Sequence, residues 1–187
     1  MSITQVSDAM RVTTSLDATK LTGNLPAISG ASLTGVVGTI VQVVNVQSGA
    51  LVTGTTILPF DDTIPQNTEG VEVMTLAITP TNASNKLKIE VVTHNTHSIG
   101  SPHHEGVALF QDSIAGALAT GKQSGGSGFG MEYSFNHYMA AGTTSATTFK
   151  VRIGSSGAGT MTFNGSDGAR QYGGVMASSI TITEIAV

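Results

Sequence analysis

Apolar and polar residues alternate over most of the chain after residue 39. For example, Leu87, Ile89 and Val91 alternate with Lys88 and Glu90. Because successive side chains of a β-strand point to opposite faces of its sheet, this period of two predicts strands with one buried face. Strands are predicted at 40–46, 51–58, 71–79, 86–94, 107–111, 131–139, 147–153, 160–164 and 175–185. Many short strands separated by turn residues favour an all-β fold, an antiparallel β-sandwich of jelly-roll type.

A different pattern precedes the strands, in residues 21–40. Leu21-Thr22-Gly23 returns twelve residues later as Leu33-Thr34-Gly35, and Ile28 returns as Ile40. A repeat this short cannot bury its own apolar side chains, so we expect them to pack against the same residues of sister chains. The pattern predicts three parts. These are a particle-attachment segment at 1–20, a short shaft at 21–39 and a β-sandwich knob at 40–187.

The amino-acid composition limits the kinds of molecule that this protein can be expected to bind. Charged residues make up 11% of the chain, about half the usual share, so the polar surface must consist mainly of Thr, Ser, Asn and Gly. The net charge is −4 and the basic residues are scattered, which argues against a nucleic-acid partner. Cysteine is absent, so disulfides and thiolate metal sites are excluded. No apolar run is long enough to cross a bilayer and no signal-peptide pattern is visible, so we expect no membrane insertion.

One segment carries a family resemblance. Residues 78–91 combine Ile-Thr-Pro at a strand end, a small polar turn, and Asn-Lys followed by an alternating strand. This segment resembles a module of bacteriophage tail-fibre and related virion proteins, and residues 21–35, 58–66 and 68–70 are similar to other segments of such proteins. The resemblance implies a homotrimer that is assembled in the host cytoplasm and located in the virion. Its N-terminal segment would contact other virion proteins, and its C-terminal knob would attach to a host-surface glycan or protein.

Two predicted loops, at 98–105 and 122–130, are the candidates for receptor binding, since loops on a rigid β scaffold often carry binding residues. The candidate residues are His103, His104, Lys122, Ser127 and Phe129. A sugar would need an aromatic platform with polar neighbours. The side chains available for it are Phe129, Tyr133, Tyr138, Tyr172 and His137. For each of these, packing in the core or at a subunit contact is the favoured role.

Two clusters raise the question of a metal. His94, His97, His103 and His104 fall within eleven residues. A threefold axis can gather three copies of one histidine around zinc, nickel or iron, but the spacing of His94 and His97 does not put both rings on one strand face. These two are weak candidates, and we favour exposed loop histidines that bind no metal. Asp61 and Asp62 offer oxygen ligands for calcium, but a solvated turn is the favoured reading. We predict no cofactor.

Enzyme signatures are missing from the sequence. Residues 164–168 begin with Asn where a Gly-x-Ser-x-Gly nucleophile elbow begins with Gly, and the glycine-rich 125–130 lacks the Lys-Thr pair of a phosphate loop. A polysaccharide-cleaving fibre would need two facing carboxylates. The spacing of Glu90, Glu105, Asp112 and Glu132 does not call for that arrangement.

The prediction is therefore a non-enzymatic fibre that attaches to cells by multivalent binding. Two alternatives remain open. One is a head-decoration or baseplate protein without receptor binding, and the other is a polysaccharide-degrading fibre.

Overall fold

The computed structural model describes residues 38–98, 103–125 and 131–187. The predicted attachment segment, nearly all of the predicted shaft, and the candidate residues Ser127 and Phe129 lie outside the described residues. Within the described ranges, no helix is long and apolar enough to cross a bilayer.

The described chain consists of strands, with one short 3₁₀ turn at Tyr172–Gly174. The strands are β1 (Ile40–Ser48), β2 (Val52–Gly54), β3 (Val71–Ile78), β4 (Lys86–His97), β5 (His103–Gln111), β6 (Ala119–Gly125), β7 (Met131–Ala140), β8 (Thr147–Ser155), β9 (Met161–Phe163), β10 (Gly165–Ser166), β11 (Ala169–Arg170) and β12 (Ser178–Ile185).

The strands form two main sheets that pack face to face. In the six-stranded sheet, β7 pairs along one edge of β4, and β12 and then β9 pair along its other edge. β1 lies beyond β12, and β2 lies beyond β9. The four-stranded sheet has the order β3-β8-β5-β6, and every pairing is antiparallel. The prediction of an all-β antiparallel sandwich of jelly-roll type is confirmed.

The apolar core lies between the two sheets. Leu87, Ile89 and Val91 of β4 are almost completely buried, as are Phe149 and Val151 of β8. Each such side chain contributes about 1.5–3 kcal/mol relative to leaving it in water. The alternation read from the sequence therefore marks the inner faces of both sheets.

The turn at 79–85 is tied to a buried carboxylate on β12. Glu184 is fully buried and accepts hydrogen bonds from the Asn85 amide at 2.6 Å, the Gln42 amide at 2.6 Å and the Thr81 hydroxyl at 2.8 Å. Desolvation raises the pKa of Glu184, but these hydrogen bonds outweigh it and lower the pKa to about 2. Glu184 therefore stays ionised and anchors the turn that carries the family resemblance.

The segment between β2 and β3 covers the outer face of the smaller sheet. Leu58 packs there against Ala108 and Phe110 of β5. Gly106 and Gly154 are directly opposed across β5 and β8, and a Cβ on either would come within 2.7 or 2.5 Å of Leu58. The opposed glycines thus form a recess for Leu58, which fixes the path of the covering segment.

Strand bounds differ from the sequence prediction at the two supposed binding loops. β5 begins at His103 instead of Val107, and β6, at 119–125, falls largely where a flexible loop was expected. The composition of β6 is Ala, Thr, Gly, Lys, Gln and Ser, which shows no apolar alternation. Pairing with β5 along its whole length makes this segment a strand, which is a tertiary effect that local propensity does not report.

Candidate functional site

A small groove runs between the covering segment and the outer side of β5 and β6. Its volume is about 150 Å³. Its apolar wall comes from Leu58, Pro59, Phe60 and Pro65, and its polar wall includes Thr63, His104, Thr120 and Lys122. A concave surface that combines an apolar wall with a few polar groups is the usual form of a small-ligand site.

Phe60 is the centre of this groove, although it is 56% exposed. The ring of His104 lies against it, with a centroid distance of 4.1 Å and a tilt of 46°. The Lys122 ammonium lies 4.7 Å from the Phe60 centroid, which is the geometry of a cation–π contact. Ser124 Oγ is 3.2 Å from His104 Nδ1 and helps to set the imidazole plane. Side chains from β5 and β6 thus hold one exposed aromatic ring of the covering segment in place.

Asp61 supplies the carboxylate of the groove. Its Oδ1 accepts hydrogen bonds from both the backbone N–H and the hydroxyl of Thr63. These bonds, the side-chain bond first, lower the pKa of Asp61 below its ordinary value. The carboxylate is therefore ionised, and one oxygen is already engaged within its own turn.

Two of the predicted binding residues meet in the groove. His104 and Lys122 lie there together, but they are strand residues of β5 and β6, so their prediction as loop-tip residues is wrong. Phe60 was missed by the sequence reasoning. The available signal was an aromatic residue inside a turn-rich stretch between Pro59 and Pro65, where no core position was predicted.

His103 lies on the opposite face of β5 from His104, inside the sandwich. Its Nε2 is 3.0 Å from Glu105 Oε1, and Tyr133 donates its hydroxyl to Glu105 Oε2 at 2.8 Å. The ring of His97 lies against His103 with a centroid distance of 4.4 Å. All four side chains are buried. The prediction of exposed histidines is therefore wrong for His97 and His103, because the strand period turns both rings inward.

Burial changes the proton affinity of this interior cluster. Desolvation, reinforced by the charge of Glu105 and its hydrogen bond, raises the pKa of the Tyr133 hydroxyl. Desolvation lowers the pKa of His97, and His103 lowers it further while Glu105 partly opposes both. Tyr133 therefore remains a hydrogen-bond donor, and His97 resists taking up a proton.

The two weak metal candidates lie apart. His94 and His97 have opposite orientations on β4, and His94 Nδ1 is 4.0 Å from Glu132 Oε2 on β7. Across residues 38–98, 103–125 and 131–187, no three His, Cys, Asp or Glu side chains come together closely enough to hold a metal ion.

The carboxylates considered for polysaccharide cleavage are spread over the domain. Glu105 is enclosed with Tyr133, and Glu90 pairs with Lys88 at 2.8 Å. Asp112 accepts from the Thr148 N–H at 2.7 Å and from the Thr147 hydroxyl at 2.9 Å.

Four of the residues considered as a sugar platform are described by the structure, and they lie outside the groove. Tyr133 is buried, and His137 is half-buried on the inner side of β7. Tyr138 and Tyr172 are exposed, at 58% and 77%. Neither of these two lines the groove.

Comparisons with known proteins give distant structural matches. No family model matches the chain, and no curated protein matches its sequence. The Eiger TNF of S. frugiperda is similar at 14% identity and a TM-score of 0.41, covering 77% of this chain and 93% of the other. The infectious bursal disease virus Gx strain structure is similar at 12% identity and a TM-score of 0.37, covering 87% of this chain. This chain spans 45% of the length of that viral chain. Since both TM-scores are below 0.5, the fold assignment rests on the strand pairings of this chain itself.

Proposed function

We propose that this chain is a subunit of a virion fibre and that its β-sandwich attaches to the host-cell surface through the groove around Phe60. The observation that carries the proposal is the exposed Phe60 ring, held by His104 and Lys122 beside a ring-sized cavity. An aromatic surface flanked by hydroxyl groups and charges suits a glycan. The similarity of residues 78–91 and 21–35 to fibre segments supports the virion setting.

The proposed fibre is a homotrimer, and an exposed apolar patch supports this part. Ile40, Val41, Val43 and Val187 are 62%, 40%, 53% and 56% exposed. They lie close together, because β1 pairs with β12 and the Gly38 N–H donates to the Ala186 carbonyl at 2.8 Å. Exposed patches of this kind mark interaction sites, and residues 40–43 of this one follow the predicted shaft directly in the sequence. A second and third copy of the chain would cover it.

Attachment is tested by the adsorption of labelled full-length protein to a panel of bacterial strains. We expect Phe60→Ala to reduce adsorption at least about tenfold, because multivalency magnifies the loss of each weak contact. Tyr172→Ala is the matched control, since Tyr172 is an exposed aromatic residue away from the groove. Adsorption of Phe60→Ala equal to the wild type, or no adsorption to any strain, would contradict attachment through this groove.

The trimer is tested by measuring the mass of the protein in solution. We expect three times the 19.0 kDa chain mass. Val43→Glu should shift the protein towards monomer, because a charge in an apolar contact is costly. Thr75→Glu, an exposed position on the other sheet, should leave the mass unchanged. A wild-type monomer would rule out the fibre arrangement.

A further inference from the structure

The proposed groove has a charge arrangement that selects among sugars. The ion pairs among the described residues involve Lys88, His94, His103 and Arg152 as the basic partners. Lys122 is not one of them, so its ammonium lies more than a salt-bridge distance from every described carboxylate. It is exposed on β6, and it lies over the face of the Phe60 ring.

Two carboxylate residues line the groove with Lys122, and neither forms an ion pair with it. Asp61 Oδ1 accepts both hydrogen bonds from Thr63, within its own turn. Glu105 lines the groove through its place in β5, but its two carboxylate oxygens bond to His103 and Tyr133 inside the sandwich. Among the described residues, the groove therefore presents the Lys122 ammonium without an ion-pair partner, and the ionised Asp61 carboxylate belongs to the same lining.

The size of the groove limits the ligand to one ring-sized group. Its volume of about 150 Å³ is well below the range of about 300–1,000 Å³ that is typical of pockets for drug-sized molecules. Phe60 and Leu58 offer an apolar wall to the face of a ring, and the Thr63 and Thr120 hydroxyls lie near its edge.

We propose, building on the attachment function above, that the groove binds an acidic sugar unit whose carboxylate pairs with the Lys122 ammonium beside the Phe60 ring. A carboxylate would give Lys122 a charge-assisted hydrogen bond, which is stronger than a neutral one. The cation–π contact keeps the ammonium at the groove wall before the ligand arrives, which reduces the entropy lost on binding. A neutral sugar would leave this cation without a partner.

The test compares methyl glucuronide with methyl glucoside, which share a sugar ring and differ in the carboxylate. Titration of the full-length protein, followed by NMR chemical shifts, gives each Kd. We expect the glucuronide to bind about tenfold more tightly. Lys122→Gln should remove that preference. Lys150→Gln, which changes a basic residue on the same sheet outside the groove, should preserve it.

The outcomes separate this inference from the attachment function. Equal affinity for the two sugars, or a preference that survives Lys122→Gln, overturns the acidic-sugar inference and leaves attachment through Phe60 standing. Stronger binding of glucose 6-phosphate than of the glucuronide would replace the carboxylate with a phosphate as the recognised group and would also overturn it. Loss of cell adsorption in Phe60→Ala together with equal sugar affinities would show that the surface ligand is of another class.

Discussion

Two fully buried carboxylates, Glu105 and Glu184, lie at opposite ends of the sandwich, and their surroundings differ. Glu184, opposite Leu87 near the start of β4, is held by amide and hydroxyl donors that do not titrate. Glu105 is on β5 and lies near the C-terminal end of β4. It is held by His103 and Tyr133, and the ring of His97 lies against that of His103. Both arrangements satisfy a buried carboxyl group with hydrogen bonds, and the second also includes His97, whose pKa is lowered by burial.

The same contrast runs along the inner face of β4. Leu87, Ile89 and Val91 give way to Thr93 and Asn95 with no break in the alternation. The first half of the strand is stabilised by apolar burial, and the second half depends on hydrogen bonds, including that from the Asn95 amide to Thr93 at 3.0 Å. The groove lies on the far side of β5 from the polar end, so Glu105 and His104 are neighbours with opposite orientations.

The largest loss of stability should come from removing Glu184, the carboxylate that is held by groups that do not titrate. Glu184→Ala leaves the Asn85 amide, the Gln42 amide and the Thr81 hydroxyl without their acceptor. We expect a loss of about 3–5 kcal/mol in the free energy of unfolding, measured by urea denaturation. Glu90→Ala, at a partly exposed site on the outer face, should cost less than about 1 kcal/mol. Equal losses for the two variants would contradict a special role for Glu184.

In the wild type, acid should lower the free energy of unfolding by protonating Glu184. The folded-state pKa of about 2 lies below the ordinary value of 4.5, so the stabilisation is present above pH 4.5 and is lost as the pH falls towards 2. The loss should be roughly 3 kcal/mol in unfolding free energy. In Glu184→Gln the part of the pH dependence between 4.5 and 2 that arises from this group should vanish. An unchanged acid limb in this variant would disprove the assignment.

A double-mutant cycle measures the interaction between Glu105 and Tyr133 at the opposite end of the sandwich. Glu105→Gln and Tyr133→Phe each disturb the 2.8 Å hydrogen bond, and each should cost about 1–3 kcal/mol in unfolding free energy. Because both variants act on the same contact, the double variant should be less destabilised than the sum, with a coupling of about 0.5–3 kcal/mol. Tyr138→Phe, an exposed tyrosine on the same strand, serves as the control. Simple additivity would show that the two groups do not interact.

The smallest expected effect is the contribution of His97 to the pH dependence of stability near neutral pH. Because burial lowers the pKa of His97 below 6.5, the folded protein binds fewer protons than the unfolded chain just below that pH. Stability is therefore fully present above pH 6.5 and falls as the pH decreases. His97→Gln should flatten this part of a thermal-unfolding series. His137, whose pKa is also lowered by burial, contributes in the same direction in the wild type and in the variant.

Sequence reasoning succeeded where the burial of apolar surface is the dominant contribution to folding. Phe149, Val151 and Ile153 alternate with Lys150 and Arg152, and the structure buries the apolar set. Burial of apolar surface forces this pattern, so it can be read without a structure. The same reasoning placed His103 in an exposed loop, because a buried histidine looks like any polar residue until its partners Glu105 and Tyr133 are known.

The groove also could not be predicted in full from the sequence. His104 and Lys122 were selected from the sequence, but Phe60 comes from a segment more than forty residues earlier. Its position depends on Leu58 fitting the recess over Gly106 and Gly154, which are opposed only after β5 pairs with β8. Neither glycine carries a local signal for that contact.

By itself, the amino-acid sequence determined the class of this protein: strands of period two, two-sided sheets and an apolar interior. These follow from local geometry and from the cost of exposing apolar surface, both of which act on neighbouring residues. Tertiary structure alone decided which polar residues turn inward around Glu105 and Glu184, and which surface residues meet at Phe60. These contacts join residues far apart in the chain, and their free energy exists only once strand pairing has brought the partners within hydrogen-bonding or van der Waals distance.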